Sequence, residues 1–402
     1  MRHCLRTLLT VLLAISLTLT GLALAEEGLE LGLAVEGPEE MEALPELALE
    51  DGALAIDGAA LVSEDVEANA EGDEIVAKIN KANFPAADFR NYVLANIDAN
   101  GDKKLSKAEA EAVTELMLRT WEDKEAGRNA YNLSSLKGVE YFTNLEQLEC
   151  VACKVKTLDV TKNTKLEELD CSENRLTKLD VSKCTELDEL RCGSNKLSKL
   201  DVTKCARLTE LDVADNQLSR LDVTNNTKLV EPTCSGNGLK SLDVRSCKAL
   251  KLLHAWENRL KKLDVTKNAK LEQLRLFGNQ LTALDVTKNT RLTHMNLTGN
   301  RLKALDVTKN TKLIQLNANQ NRLTALDVSK NPKLKFLYTN GNAIKTLDIK
   351  NNKILRGYLK NKVWEEEDGI YWSFEGDDGL WGLGIDYSTT LTSGKKVLYQ
   401  GR

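Results

Sequence analysis

The stretch Leu166-Glu-Glu-Leu169-Asp-Cys171-Ser-Glu-Asn174-Arg-Leu176-Thr-Lys-Leu179-Asp-Val181-Ser-Lys-Cys184-Thr-Glu-Leu187 holds one copy of a 21-residue unit and, at Leu187, the first residue of the next. Its Leu179-Asp180-Val181 triplet occurs earlier at Leu158 and later at Leu200, Leu221, Leu242, Leu263, Leu284, Leu305, Leu326 and, with Ile349 for Val, Leu347, without an insertion or deletion. A fixed period of this length marks a solenoid, whose units are too small to hold a core and stack on their neighbours. Within a unit, apolar residues alternate with polar ones. Period two governs an extended segment, so the apolar set points inward and the residues between point out.

The first half reads Leu-x-x-Leu-x-Leu-x-x-Asn-x-Leu, the leucine-rich-repeat pattern, with Cys171 in an inward Leu slot. The second half repeats the spacing through Leu176, Leu179 and Val181. There Cys184 takes the slot held elsewhere by Asn163, Asn226, Asn268, Asn289, Asn310, Asn331 and Asn352. The pattern predicts a leucine-rich-repeat solenoid of parallel β coils, with two short strands per coil, spanning residues 136–357. It resembles the 21-residue repeats of bacterial secreted proteins, internalin-like in the broad sense. That resemblance implies a protein partner such as a host or cell-surface protein. A second column, Asn174, Asn195, Asn216, Asn237, Asn258, Asn279, Asn300, Asn321 and Asn342, is read as scaffold whose amides bond turn backbone.

Working outward, residues 1–25 hold basic Arg2 and Arg6, an apolar run from Leu8 to Leu24 and a small-residue end, the form of a secretory signal. Residues 26–74 hold seventeen acidic residues and no Lys or Arg, which predicts a disordered acidic linker. The chain carries −5 in total; the signal supplies +2 and the linker −17, so residues 75–402 carry +10. Nucleic acid is not read from this charge, because Lys162, Lys183, Lys204, Lys267, Lys288, Lys309 and Lys330 recur beside an equally regular Asp column that they would neutralise. No later stretch has the length and apolarity of a membrane span. The protein is expected to be secreted, extracellular or associated with the cell surface.

Residues 75–135 read as a small helical N-terminal cap. Between its helical stretches, Asp98-Ala-Asn100-Gly-Asp102-Lys-Lys104-Leu-Ser106-Lys-Ala-Glu109 resembles an EF-hand loop. The resemblance implies one calcium site, with side-chain oxygens from Asp98, Asn100 and Asp102, the Lys104 carbonyl, Ser106, and Glu109 as the bidentate ligand. Lys103 stands where the motif has Gly. Residues 358–402 hold Trp364, Tyr371, Trp372, Phe374, Trp381, Tyr387 and Tyr399, with Glu375 to Gly379 as a turn, and predict an aromatic β-hairpin C-terminal cap.

The eight cysteines beyond residue 25 lie in repeat slots. They read as small buried residues, with inter-coil disulfides as the alternative. His254 and His294 sit on outward positions nearly two coils apart, and no nucleophile, phosphate loop or metal-hydrolase motif accompanies them, so no catalytic residue and no enzyme is predicted. Function is sought where the unit varies. The second-half segment shows Asp in every copy. The outward residues of the first half change, from acidic (Glu168, Asp170, Glu189, Glu210, Asp212, Asp215, Glu231) to mixed (His254, Trp256, Arg275, Phe277, His294), ending at Phe336 and Tyr338. This face is the candidate for protein–protein recognition, in adhesion or surface binding. Two other readings stand beside it: a glycan-binding or glycan-processing accessory, and a structural surface-layer component. Trp256 and Phe277 share one outward column and are expected to stack at strand spacing, roughly 5 Å.

Overall fold

The computed structural model describes residues 73–118, 133–359, 363–366, 369–373, 381–386 and 388–400. The signal, nearly all of the acidic linker, the insertion at 119–132 and the turn from Glu375 to Gly379 lie outside the described residues.

Each coil contributes one three-residue strand in fixed register. After β1 (Ile75–Lys78), α1 (Ala87–Asn96), β2 (Lys104–Ser106) and α2 (Lys107–Ala112), the solenoid strands are β3 (Glu115–Met117), β4 (Gln147–Glu149), β5 (Glu168–Asp170), β6 (Glu189–Arg191), β7 (Glu210–Asp212), β8 (Glu231–Thr233), β9 (Leu252–His254), β10 (Gln273–Arg275), β11 (His294–Asn296), β12 (Gln315–Asn317) and β13 (Phe336–Tyr338). They pair in parallel in sequence order, so equivalent residues face each other: Leu274 opposes Leu253 and Met295, and Arg275 opposes His254 and Asn296. The middle residue of each strand is buried and its neighbours are half-buried. Leu166, Leu176, Leu190, Val202 and their equivalents are fully inside. Each such Leu or Val adds about 2 kcal/mol relative to an exposed one.

Two asparagine columns tie coil to coil, and they are not equivalent. In the first, Asn279 Oδ1 accepts from Leu260 N at 3.0 Å, while Nδ2 donates to Ala255 O at 2.8 Å, one coil back, and to Leu276 O at 3.1 Å in its own turn. In the second, Asn289 Nδ2 donates to Val265 O and Asn268 O, both at 2.9 Å, but its Oδ1 is buried without a partner, as are those of Asn163, Asn226, Asn268, Asn310, Asn331 and Asn352.

The second-half segments correct the expectation of two strands per coil. Among the described residues, of the Leu-Asp-Val segments only that of β14 (Thr346–Asp348) joins a ladder. The reason is competition for donors. One main-chain bond per step crosses coils, as Arg175 N to Val155 O at 2.8 Å, while Leu176 N is taken by Asn195 Oδ1 at 2.9 Å. The Asp column turns back on its own chain: Asp201 Oδ1 accepts from Thr203 N and Thr203 Oγ1. These hydrogen bonds are the largest effect holding Asp159, Asp201 and Asp264 below the usual carboxylate range; the Lys column contributes less. Neutralisation by lysine is therefore the smaller effect.

Two further details were not read from the repeat. The residue before each first-column Asn is left-handed, with φ of 57° at Glu173, 52° at Glu257 and 67° at Gly278. Glycine takes this conformation at no steric cost, whereas a residue with a Cβ pays about 1–2 kcal/mol. Pro232 sits mid-strand in β8. It has no N–H to give, and the β8–β9 register shrinks to one pair, Thr233 with His254.

Both ends of the stack are closed. At the first, β1 and β2 pair antiparallel, and Phe84, Phe89 and Phe142 pack together with ring centroids 5.8 and 6.5 Å apart. At the other, the cap is larger than the expected single hairpin. After α3 (Lys353–Tyr358) come β15 (Val363–Glu366), β16 (Gly369–Ser373) and β17 (Trp381–Ile385), an antiparallel set whose β17 lies parallel on β13 and extends the long sheet. β18 (Thr390–Ser393) pairs parallel with β14 and antiparallel with β19 (Lys396–Tyr399). Gly382 is required at the junction, since a Cβ there would lie 2.2 Å from the Tyr358 ring.

The inequality of the two columns is testable by urea unfolding. Asn279→Ala strands a buried N–H and two carbonyls and is expected to cost about 3 kcal/mol. Asn289→Ala removes an amide already carrying an orphan oxygen, and is expected to cost about half as much. Equal losses would show that the unpartnered oxygens carry no penalty.

Candidate functional site

Outward residues of β5 to β13 form three columns on the long sheet. The first holds Glu168, Glu189, Glu210, Glu231, Leu252, Gln273, His294, Gln315 and Phe336, and the second Asp170, Arg191, Asp212, Thr233, His254, Arg275, Asn296, Asn317 and Tyr338. The third follows just past each strand and includes Ser235, Trp256, Phe277 and Thr298. Column spacing is that of parallel strands, roughly 4.8 Å.

Trp256 and Phe277 stack as the period dictates: their centroids are 5.3 Å apart and their planes 9° from parallel. The His254 ring lies 5.3 Å from Trp256 at 49°. Burial pushes the His254 imidazolium down to about 4, with help from the neighbouring Arg275 cation, and its Nε2 is enclosed without a hydrogen-bond partner. His294 is lowered for the same two reasons, and its Nδ1 lies 2.9 Å from Thr293 Oγ1. Arg275 is half-buried, and burial alone lowers its guanidinium. These five residues form one group. Phe336 and Tyr338 do not join it: they lie on β13, three strands from Arg275, where β17 adds the cap to the sheet. Burial raises the Tyr338 phenol to about 12, with Tyr358 adding to the rise.

Sequence reading passed over two features of the face. Arg191 stands among the acidic residues and reaches Glu189 at 2.7 Å and Glu210 at 2.5 Å. Between His294 and Phe336 the face carries amides and hydroxyls, with Thr298 Oγ1 at 2.8 Å from Asn296 Oδ1 and 2.7 Å from Asn317 Oδ1, its single hydrogen donated to one of them at a time. Both were available by aligning the copies and reading down the columns.

In the N-terminal cap, loop residues 98–109 follow the EF-hand outline while bonding mainly to themselves. Lys103 has φ 61°, the left-handed backbone for which the motif uses Gly. Asp98 Oδ2 accepts from Lys103 N at 3.1 Å, Asn100 Oδ1 from Asp102 N at 2.9 Å, and Asp102 Oδ1 from Lys104 N at 2.7 Å. Glu109 forms a capping box with Ser106, and its carboxylate accepts from Ala99 N and Ser106 N, both at 2.9 Å. Among the described residues no three His, Cys, Asp or Glu side chains converge as a metal cage would require. One observation fits a cation: Asp98 Oδ1 is buried without a partner, and burial, then the charges of Glu109 and Asp102, hold that carboxyl above its usual range. All eight coil cysteines are free and buried, and burial raises the thiols, Cys153 and Cys234 to about 12.

Comparison with known proteins agrees with this architecture. A leucine-rich-repeat family model covering two copies matches residues 164–204. The chain folds as a leucine-rich-repeat solenoid. An internalin of Listeria monocytogenes, InlF, is similar over 69% of this chain and 83% of its own, at 23% identity with a TM-score of 0.59. The functional domain of InlJ from the same organism, which includes a cysteine ladder, is 29% identical over 70% of this chain and 75% of its own, with a TM-score of 0.42. A leucine-rich-repeat protein of Leptospira interrogans is 22% identical over 60% and 70%, with a TM-score of 0.46. No curated protein matches the chain. Among the described residues no helix is long and apolar enough to cross a membrane.

The histidine environment is checked by following the imidazole C–H resonances from pH 8 to 3.5. His254 is expected to remain neutral until about pH 4 and His294 to titrate below the ordinary histidine range. Arg275→Ala should move both upward, because it removes the cation that opposes their protonation.

Proposed function

We propose that the protein is an exported, non-catalytic binding protein that recognises a protein partner, in adhesion or surface recognition, through the outward face of β5–β13. The observation that carries this reading is the contrast between the two sides of the coil. The Asp column of the second half is the same in every copy and closed by its own hydrogen bonds. The strand face carries different side chains in each coil, and the parallel Trp256–Phe277 pair stands beside Arg275. Trp, Arg and neighbouring aromatic residues dominate interaction hot spots, where one truncation costs about 2 kcal/mol or more. The fold supports this reading, since a solenoid offers an extended rigid surface on which such columns stay in register. Export rests on the N-terminal signal pattern alone.

The test is a pull-down with residues 73–402 from host and bacterial surface extracts, comparing the unaltered chain with Trp256→Ala, Phe277→Ala and the control Thr266→Ala. A partner retained by the control and lost, by thirtyfold or more in affinity, from both aromatic variants is the expected outcome. A partner lost only from the control would place recognition on the Asp side of the coil.

We also propose that loop 98–109 takes one calcium ion, with Asp98, Asn100, Asp102, the Lys104 carbonyl, Ser106 and Glu109 as ligands. The donors are those of a hard-cation site, Lys103 has the required backbone, and Asp98 has an oxygen to spare. Glu109 would exchange its capping bonds for the ion. Millimolar calcium is expected to raise the unfolding midpoint relative to chelator, by mass action on the folded state. Because Glu109→Ala also removes one half of the capping box with Ser106, the quantity to compare is the calcium increment, which should vanish in that variant. An identical midpoint with and without calcium in the unaltered protein ends the proposal.

A further inference from the structure

Arg191 and Arg275 occupy the same column, on β6 and β10, and differ in what surrounds them. Arg191 is held by Glu189 and Glu210, with Asp170 near, and these carboxylates raise its guanidinium against the cost of burial. Arg275 is also half-buried. Yet it makes no ion pair among the described residues, burial lowers its guanidinium, and its column neighbours are His254 and Asn296. An unpaired, half-buried guanidinium bears a desolvation cost that its own protein does not offset. The acidic side of the face has the reverse imbalance. Glu168, Asp170, Glu189, Glu210, Asp212 and Glu231 share one cation within their strands, Arg191, and Lys251 acts on Glu231 from just outside them. Asp212 and Glu231 are held above the usual carboxylate range by burial first and then by like-charged neighbours, Asp170 for one and Glu210 for the other. The boundary falls at β8–β9, where Pro232 interrupts the ladder.

Building on the recognition role proposed for this face, we infer that its partner is a protein of two-part charge, which lays a lysine- or arginine-bearing surface over β5–β8 and inserts a carboxylate side chain at Arg275. The same column spaces the two poles: Asp212 on β7 and Arg275 on β10 are three strand steps apart, about 14 Å. His254 and His294 are neutral near pH 7 and do not compete with Arg275 for the carboxylate. Trp256 and Phe277 lower the local dielectric and so strengthen the link. An acidic glycan supplies only negative charge and is repelled by the β5–β8 half, so the two-sign pattern selects a protein surface.

The test uses defined probes and the full chain. Three fluorescent peptides of equal length are compared by anisotropy at low salt: one with a lysine end and a Glu-Phe end separated by a four-residue Gly/Ser spacer, which spans about 14 Å when extended, one with lysine at both ends, and one with glutamate at both ends. A uronic-acid oligosaccharide is the fourth probe. The bipolar peptide is expected to bind at least tenfold more tightly than the others and to weaken with salt. Arg275→Ala should remove that advantage while leaving the all-lysine peptide unchanged, and Glu231→Lys should weaken both lysine-bearing peptides. Thermal melts confirm that each variant is folded. The inference is overturned if the all-lysine peptide matches the bipolar one, if Arg275→Ala changes nothing, or if the oligosaccharide binds best. In those cases Trp256→Ala separates the two readings: a loss of whatever binding is seen retains the face and rejects its polarity, whereas no loss rejects the face as well.

Discussion

A buried side-chain amide closing hydrogen bonds to two successive coils is the constraint on which this structure depends. Asn279 accepts from one coil's Leu260 N–H and donates to that coil's Ala255 carbonyl and to its own turn. These groups would otherwise be buried main-chain atoms without partners, each costing about 1–3 kcal/mol. The bonds are short-range and directional, so a coil longer or shorter by one residue would carry its amide away from all of them. The period is held for this reason, and through it the register of every strand. Hydrophobic burial alone would tolerate slippage, because one Leu column packs much like the next.

Fixed register then decides which features could be read from the chain. Inward Leu and Val, the first Asn column and the stacking of Trp256 on Phe277 follow from position within the unit, and all were legible. The number of strands per coil was not. Leu-Asp-Val has the alternation of a strand, but the N–H groups on either side of it, those of Leu176 and Ser182, are taken by the side-chain oxygens of Asn195 and Asp180 instead of a neighbouring strand. The C-terminal cap was legible as β and aromatic, while its attachment by β17 to β13 involves partners 45 residues apart, as Asn340 Nδ2 to Ile385 O, beyond any local pattern. In loop 98–109 the ligand oxygens could be read from spacing; that Glu109 also closes a capping box depends on Ser106, the N-cap, whose hydroxyl accepts from the Glu109 N–H while the Glu109 carboxylate accepts from the Ser106 N–H.

The second Asn column explains the cysteines that interrupt it. An amide there makes two good donor bonds and strands its oxygen. Cys184 and Cys205 offer a weaker bond, Sγ to Val160 O at 3.5 Å and to Val181 O at 3.6 Å, and leave no strong acceptor unsatisfied. The two choices differ in kind and come close in net free energy, so the column tolerates both. In the strand column the same side chain replaces Leu, with Cys171 fully buried as a small apolar group. Their thiols are raised by burial and remain protonated near neutral pH. Protonated thiols are poor nucleophiles. These cysteines therefore act through volume and weak hydrogen bonding.

What remains free to vary is the set of side chains projecting from the strand face, and the geometry limits how they can be used. Every step along the sheet is one strand spacing, so the face is a grid on which charge and aromatic groups occupy set intervals. Charges placed at random on such a grid would tend to find partners, since opposite signs one step apart attract and side chains are long enough to meet. Arg191 does so on both sides. Arg275 has Gln273 and Phe277 in its own coil and His254 and Asn296 in the neighbouring coils, none of which can compensate a cation. A half-buried cation kept from carboxylates on a grid that elsewhere supplies them costs the isolated protein stability. A partner that brought the missing charge would recover that cost, and on the proposed reading the position of Arg275 is accounted for by binding better than by folding.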